Sequence, residues 1–191
     1  MNIIQITNTI RGNNVKERLR AMNIYKKIRV VATNELKKKV FHLRVNKYRK
    51  ILNAQDKNLL VYGEPLVIKE PQNVTVGNNC RFNEHVFIHG GGGVTLGDNV
   101  TLSAYTKVIS WSYDTNDWES NYIKKDHVGN PIYIGDGTWV GAGAIILPGV
   151  KITGKGVIVA AGSVVTSDIN EDFVLVGGTP AKKLKSYNKA Q

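Results

Sequence analysis

The sequence predicts a parallel β-helix preceded by a basic helical segment. Branched apolar residues recur at every sixth position in one long run: Ile134, Val140, Ile146, Ile152, Ile158 and Val164. Two upstream runs keep the same spacing: Val76, Phe82 and Ile88, then Leu96, Leu102 and Val108. This period fits neither an α-helix nor a flat strand pair, but it fits a triangular prism in which each unit supplies one short strand and one corner. The apolar residues are predicted to stack inside the prism.

The net positive charge of the chain is confined to the N-terminal segment. Residues 1–50 carry 14 lysines and arginines against two acids, whereas residues 51–191 carry 12 against 13 acids. Apolar residues lie between these cations at spacings typical of a helix, so residues 14–50 are predicted to form two amphipathic helical stretches, with Thr33-Asn34 capping the second. We therefore divide the chain into a basic helical segment, residues 1–60, and a β-helix domain, residues 61–191, with a loop at 110–130 and a C-terminal tail at 170–191.

The composition indicates in which cellular compartment the protein is expected. Cys80 is the one cysteine, so no internal disulfide can form, which fits a reducing compartment. No apolar run is long enough to span a bilayer, and the N-terminus lacks the layout of a secretory signal. We expect a cytoplasmic protein, either free or at the inner face of the membrane.

The C-terminal half carries a resemblance to a known family. Residues 135–185 read GDGTWVGAGAIILPGVKITGKGVIVAAGSVVTSDINEDFVLVGGTPAKKLK. This stretch resembles the hexapeptide-repeat acyltransferases, in particular the maltose, galactoside and polysaccharide O-acetyltransferases, and the likeness covers residues 66–187. The resemblance implies a left-handed parallel β-helix, a homotrimer, acetyl-CoA as co-substrate and no metal.

One segment, Ile109–Gly135, interrupts the repeat. The family's general base is usually a histidine in such a loop, within a motif like S-H-D or G-H-P. Here Trp111 or Tyr113 occupies the expected position. His127, at the far end of the loop, is the predicted base, with Asp126 beside it to orient the imidazole. The alternative is an exposed loop histidine.

Further acceptor-site residues are predicted around this loop. His85 is the second candidate for the active site, more as a substrate ligand than as a base. Asn83, Trp111 and Asp114 are predicted to bind the acceptor, although Trp111 could instead pack the loop and Asp114 could be solvated. His42 and His89 are read as structural histidines.

The coenzyme site follows from the resemblance, residue by residue. Small residues at two stacked corners would let the pantetheine arm pass, Trp139 would line the channel, polar residues would lie near the adenine end, and lysines would face the phosphates. The residues are Trp139, Ala142, Ala160, Ala161, Ser163, Thr166, Lys182 and Lys183. The alternative for the small residues is that they only relieve crowding at the corners.

The predicted function is an acetyl-CoA-dependent O-acetyltransferase acting on a sugar hydroxyl of a polysaccharide, an oligosaccharide or a lipid-linked glycan. Three alternatives stay open: an N-acetyltransferase acting on an amino sugar or its nucleotide, a zinc β-helix hydratase using His85, His89 and His127, and a non-catalytic scaffold. The basic residues 11–50 either cap the β-helix or bind an anionic membrane surface. No recognised motif supports nucleic-acid binding.

Overall fold

The computed structural model describes residues 15–52, 54, 58–64 and 66–187, with backbone alone at residues 17 and 18. Residues 1–14, 53 and 55–57 of the predicted basic segment lie outside the described residues. The described chain divides into two compact units, Met1–Arg44 and Val45–Gln191.

The described part of the chain contains two α-helices, one 3-10 turn and eighteen short strands. The helices are α1 (Val15–Ile51) and α2 (Trp118–Lys124), and the 3-10 turn is Pro71–Asn73. The strands before the interruption are β1 (Leu60–Val61), β2 (Val67–Lys69), β3 (Val74–Val76), β4 (Arg81–Phe82), β5 (Phe87–His89), β6 (Val94–Leu96), β7 (Thr101–Leu102) and β8 (Lys107–Ile109). The interruption holds β9 (Trp111–Tyr113) and β10 (His127–Gly129). The strands after it are β11 (Ile132–Ile134), β12 (Trp139–Val140), β13 (Ile145–Ile146), β14 (Lys151–Ile152), β15 (Ile158–Val159), β16 (Val164–Val165), β17 (Val174–Gly178) and β18 (Ala181–Ser186).

Three parallel sheets form the faces of the coil. Their strand orders are β1-β4-β7-β12-β15-β17-β18, β14-β11-β6-β3 and β16-β13-β8-β5-β2. Outside the consecutive pairs β9–β10 and β17–β18, consecutive described strands belong to different sheets, and each pairs with the strand one coil away. The pairing is antiparallel only at β17–β18 and in the separate β9–β10 hairpin, among the described strands. The predicted β-helix with an N-terminal helix and an extruded loop is confirmed, whereas the homotrimer stays a prediction.

The core is built from columns of apolar side chains in register. Ile134 pairs with Leu96 and with Ile152 on one face, and Ile146 pairs with Val108 and with Val165 on another. On the third face Val140 lies between Leu102 and Val159. These side chains are buried, so each coil covers the apolar interior of its neighbour.

The predicted inward positions are wrong for the last two members of the long run. Ile158 and Val164 are half-buried, whereas Val159 and Val165, one residue later, point inward. The turn between β14 and β15 carries one extra residue, so the inward spacing lengthens there from six to seven. Gly154 accommodates it, because a side chain at that position would collide with the Glu171 carbonyl.

The N-terminal segment differs from the two predicted helices. Val15–Ile51 is one continuous helix, and Thr33 lies inside it, where its hydroxyl donates a hydrogen bond to the Arg29 carbonyl (2.7 Å) rather than capping a second helix. In the second unit the last turns of α1 bury Val45 and Tyr48, and the Tyr48 hydroxyl donates to the Leu66 carbonyl (3.0 Å). Among the described side chains of Val15–Arg44, apolar residues and cations do not separate onto opposite faces of the helix, so the predicted amphipathic face is also wrong.

Candidate functional site

The interruption of the repeat is an ordered hairpin closed by a short helix. β9 and β10 pair in antiparallel register, and α2 connects them. Asn121, buried in α2, ties the two arms together: its amide donates to the Asp114 carbonyl (2.6 Å) and the Asp126 carbonyl (3.2 Å), and its oxygen accepts from the Asp126 N–H (2.9 Å). The hairpin is therefore a fixed platform for the side chains that it carries.

His127 lies on this hairpin among aromatic rings. It is the direct cross-strand partner of Tyr113, and the two ring centroids are 4.5 Å apart. The Trp111 ring lies 5.8 Å from the His127 ring and nearly parallel to it, with an interplanar angle of 13°. His127 is exposed. The structure thus brings the predicted base next to both residues that stand where the family's histidine was expected.

The predicted contact between His127 and an acid partner is not seen among the described residues. Among the described residues no hydrogen bond or ion pair joins the His127 imidazole to a carboxylate, and the backbone of Asp126 is bonded to Asn121. His89, read as structural, is the histidine that lies near an acid: its Nδ1 is 3.5 Å from Glu70 Oε2 and accepts from the Gly91 N–H (3.4 Å). Its ring also stacks beside Trp111 at 6.3 Å.

His85 lies at a different place on the coil. It occupies a corner with a left-handed backbone (φ 58°) and stacks on Tyr105, with centroids 4.5 Å apart and rings within 5° of parallel. The ring contacts of His85 and His127 share no residue, so the structure does not gather the two candidates into one cluster. Sequence reasoning missed Tyr105, although it follows His85 by one coil, the separation that also stacks Asn79 under Asn99.

Above this aromatic pair the same corner is open. Gly143 and Gly162 continue the column, with φ 68° each and no atom within 4 Å of where a Cβ would stand. The Gly162 N–H donates to the Ala142 carbonyl (2.8 Å), which sets the spacing of the two upper coils. Ala142 and Ala161 are exposed and Ala160 is half-buried. The corner therefore offers an open backbone edge that could take a long flexible arm.

The remaining residues predicted to bind the coenzyme differ in their exposure and in their hydrogen bonds within the chain. Trp139 is 51% exposed, and its indole N–H donates to Ser103 Oγ (2.9 Å). Ser163 is buried, and its hydroxyl accepts from the Gly178 N–H (3.1 Å), so it helps to hold β17. Thr166 is exposed.

The two lysines predicted to face the coenzyme phosphates differ in their contacts. Lys183 lies 2.6 and 2.7 Å from the two Glu171 oxygens, and together with the Ser186 hydroxyl it lowers the pKa of that carboxyl. Lys182 is exposed beside a cavity of about 300 Å³ that Asp168 and Glu171 also line.

The predicted acceptor residues are partly engaged within the chain. The Asn83 amide donates to the Leu102 carbonyl (3.3 Å), and Asp114 Oδ1 accepts from the Asn116 N–H (3.0 Å). Trp111 is half-buried against Gly91 and Gly129. Among the described residues no group of three or more histidine, cysteine, aspartate or glutamate side chains is close enough to hold a metal ion.

Comparison with known proteins agrees with this fold. A family model described as the hexapeptide repeat of succinyl-transferase matches residues 131–167. The galactoside O-acetyltransferase of Lactococcus lactis is 40% identical over 98 residues, 51% of this chain and 42% of that protein. A Schizosaccharomyces pombe relative is 38% identical over 107 residues, 56% of this chain and 47% of that protein. The chain thus matches less than half the length of each of these relatives.

A solved structure extends the likeness over most of the chain. It is a hexapeptide-repeat acetyltransferase of Vibrio cholerae in complex with acetyl-CoA, with a TM-score of 0.64 and 28% identity over 82% of this chain and 85% of that one. The repeat, the coil and these relatives together confirm the resemblance of the chain to the hexapeptide-repeat acyltransferases.

Proposed function

We propose that the protein is an acetyl-CoA-dependent O-acetyltransferase whose acceptor is a sugar hydroxyl of a polysaccharide, an oligosaccharide or a lipid-linked glycan. One observation carries the proposal: the hairpin that interrupts a hexapeptide coil presents an exposed imidazole, that of His127, on a fixed frame. The acetyl-CoA bound by the Vibrio cholerae neighbour and the sugar acceptor in the name of the Lactococcus lactis relative support the donor and the acceptor.

In this proposal the chemistry needs few groups from the chain. His127 accepts the proton of the sugar hydroxyl as its oxygen attacks the thioester carbonyl, and later returns it to the leaving thiolate. Histidine suits the task because a neutral imidazole accepts a proton and the imidazolium returns it. A backbone N–H stabilises the oxyanion. The open corner at Gly143 and Gly162 takes the pantetheine arm, beside Trp139, and Lys182 meets a phosphate.

Turnover measurements on the purified full-length chain test the proposal. Thiol release from acetyl-CoA is followed with neutral oligosaccharides, amino sugars and nucleotide amino sugars as acceptors. Release with neutral sugars, abolished in His127→Ala, supports O-transfer with His127 as base. Release confined to amino acceptors establishes the N-acetyltransferase alternative instead, and no release with any acceptor leaves the scaffold reading. A rise in the acceptor KM of His85→Ala at unchanged kcat assigns His85 to substrate binding.

We also propose a homotrimer. Half-buried apolar side chains point outward on one face of the coil at Phe87, Ile109, Ile145 and Val164, with the exposed Lys107 in register between Phe87 and Ile145, and this largely apolar face favours contact with another subunit. Light scattering on the purified protein tests this: a mass near that of one chain contradicts it.

We propose that α1 associates with an anionic membrane surface on the cytoplasmic side. It contains 13 lysines and arginines against two acids, and none of the described helices is long and apolar enough to cross a membrane. Because cations surround the helix rather than line one face, the attraction is electrostatic and depends on salt. Co-sedimentation with vesicles of anionic lipid, lost in high salt and with neutral lipid, supports the proposal, and equal binding to both lipids contradicts it.

A further inference from the structure

Two aromatic rings, those of Trp111 and Tyr113, contact the His127 imidazole. His127 and Tyr113 are opposite each other in the hairpin, and Gly129 and Trp111 form the pair two residues along. Residues two apart in a strand share a face, so the side chains of His127, Tyr113 and Trp111 stand on the same side of the hairpin. This register explains why both rings reach the imidazole.

Two glycines fix the position of the indole. A Cβ at Gly129 would stand 3.0 Å from Trp111 Cζ3, and a Cβ at Gly91 would stand 2.8 Å from Trp111 Cδ2. The Trp111 ring therefore lies against bare backbone on both the hairpin and the coil. The close backbone at both glycines packs against the indole, which lies 5.8 Å from the His127 ring, and a side chain at either glycine would displace it.

The contacts leave the imidazole oriented without an acid. His127 lies beside two aromatic rings and, in the described part of the chain, has no carboxylate partner. The faces of aromatic rings attract cations, and tryptophan does so most strongly. An imidazole that gains a proton beside Trp111 and Tyr113 is therefore stabilised by their π-electrons, the task that a carboxylate performs in a catalytic triad.

We propose that Trp111 and Tyr113 are positioning residues for the general base: their rings orient the His127 imidazole and stabilise its protonated form in place of a carboxylate. This inference rests on the proposed acetyl transfer with His127 as base. The inference gives the Trp111-Ser112-Tyr113 segment a role, because two of its side chains act on the general base of the opposite strand.

Kinetics of ring-deleting and ring-keeping variants test the proposal. In Trp111→Leu and in Tyr113→Leu we expect kcat to fall about fivefold to tenfold while the KM for acetyl-CoA stays unchanged. Tyr113→Phe keeps the ring and should retain near wild-type kcat. Ser112→Ala, on the same strand with its side chain on the other face, is the matched control and should behave as wild type.

An activity-independent measurement accompanies the kinetics. Ring currents of Trp111 and Tyr113 displace the imidazole C–H resonances of His127, which are assigned by comparison with His127→Ala. Each ring-deleting variant should move these resonances towards the positions of an exposed histidine, and Ser112→Ala should not. Resonances that do not move, or that move without any loss of kcat, would overturn the positioning role. A wild-type protein that transfers no acetyl group instead defeats the proposed function, and the resonances still report whether the rings contact the imidazole.

Discussion

The coils at residues 131–152 and the hairpin at residues 111–129 are neighbours along the chain but are specified differently. In the coils a buried residue recurs at a fixed spacing, and each one stacks on its counterparts, as Ile146 does between Val108 and Val165. In the hairpin, a buried asparagine and glycine backbones hold aromatic rings beside the exposed His127. The coils depend on periodic apolar burial, and the hairpin depends on particular polar and steric contacts. We therefore expect coil variants to lose stability and hairpin variants to lose activity.

The largest expected effect is a loss of activity without a loss of stability, and it belongs to the hairpin. His127→Ala should lower kcat by about 10²–10⁴-fold, the usual contribution of a general base. Its thermal unfolding should match wild type, because the side chain is exposed. His42→Ala, on α1 and also exposed, is the control. Full kcat in His127→Ala would mean that the base lies elsewhere.

The next effect is on stability and belongs to the coil. Ile146→Ala should lower the free energy of unfolding by about 2–5 kcal/mol, because it removes a fully buried side chain and leaves a cavity. Ile158→Ala, in β15 with its side chain half-buried, should cost well below that. Chemical denaturation measures both, and equal losses would contradict the inward column.

A smaller effect compares two left-handed corners. Asn79 and Asn99 already occupy one corner column, and Gly137 continues it, whereas Gly143 belongs to the open column. Gly137→Asn and Gly143→Asn should each cost about 1 kcal/mol or less. Only Gly143→Asn should raise the KM for acetyl-CoA, since it alone fills the open edge. An unchanged KM there would remove this corner from the coenzyme site.

The smallest effect concerns the C-terminal strand. Lys183 and Ser186 lower the pKa of Glu171, so the ionised form is favoured in the folded protein. This contribution is fully present above the carboxyl's usual pKa and is lost as pH falls through the lowered value. Glu171→Gln should therefore reduce stability slightly at neutral pH and not at strongly acidic pH. Thermal unfolding across that range measures it, and a pH-independent difference would contradict the ion pair.

The sequence predicted most of the coil but only part of the candidate site. The inward columns followed from the spacing of six up to Ile152, and failed at Ile158 because one extra turn residue changes which side chain points inward. A helix break was predicted at Thr33, but the threonine hydroxyl bonds to a carbonyl one turn back, so the helix continues. His127 was selected from the sequence, yet the predicted contact with Asp126 is replaced by contacts with Trp111 and Tyr113. Those contacts depend on the strand register of a hairpin with no periodic signal.

The sequence by itself determined the β-helix, because burial at a fixed period requires apolar residues at a fixed spacing, and that spacing is visible along the chain. It also determined where the coil must be interrupted, since the period fails between Ile109 and Gly135. Only the tertiary structure decided what the interruption holds. Asn121 closes the hairpin across its two arms, and the register that follows sets His127 opposite Tyr113 and beside Trp111. Such contacts depend on hydrogen bonds and bare glycine backbone at particular positions of the hairpin, and neither leaves a periodic pattern in the sequence.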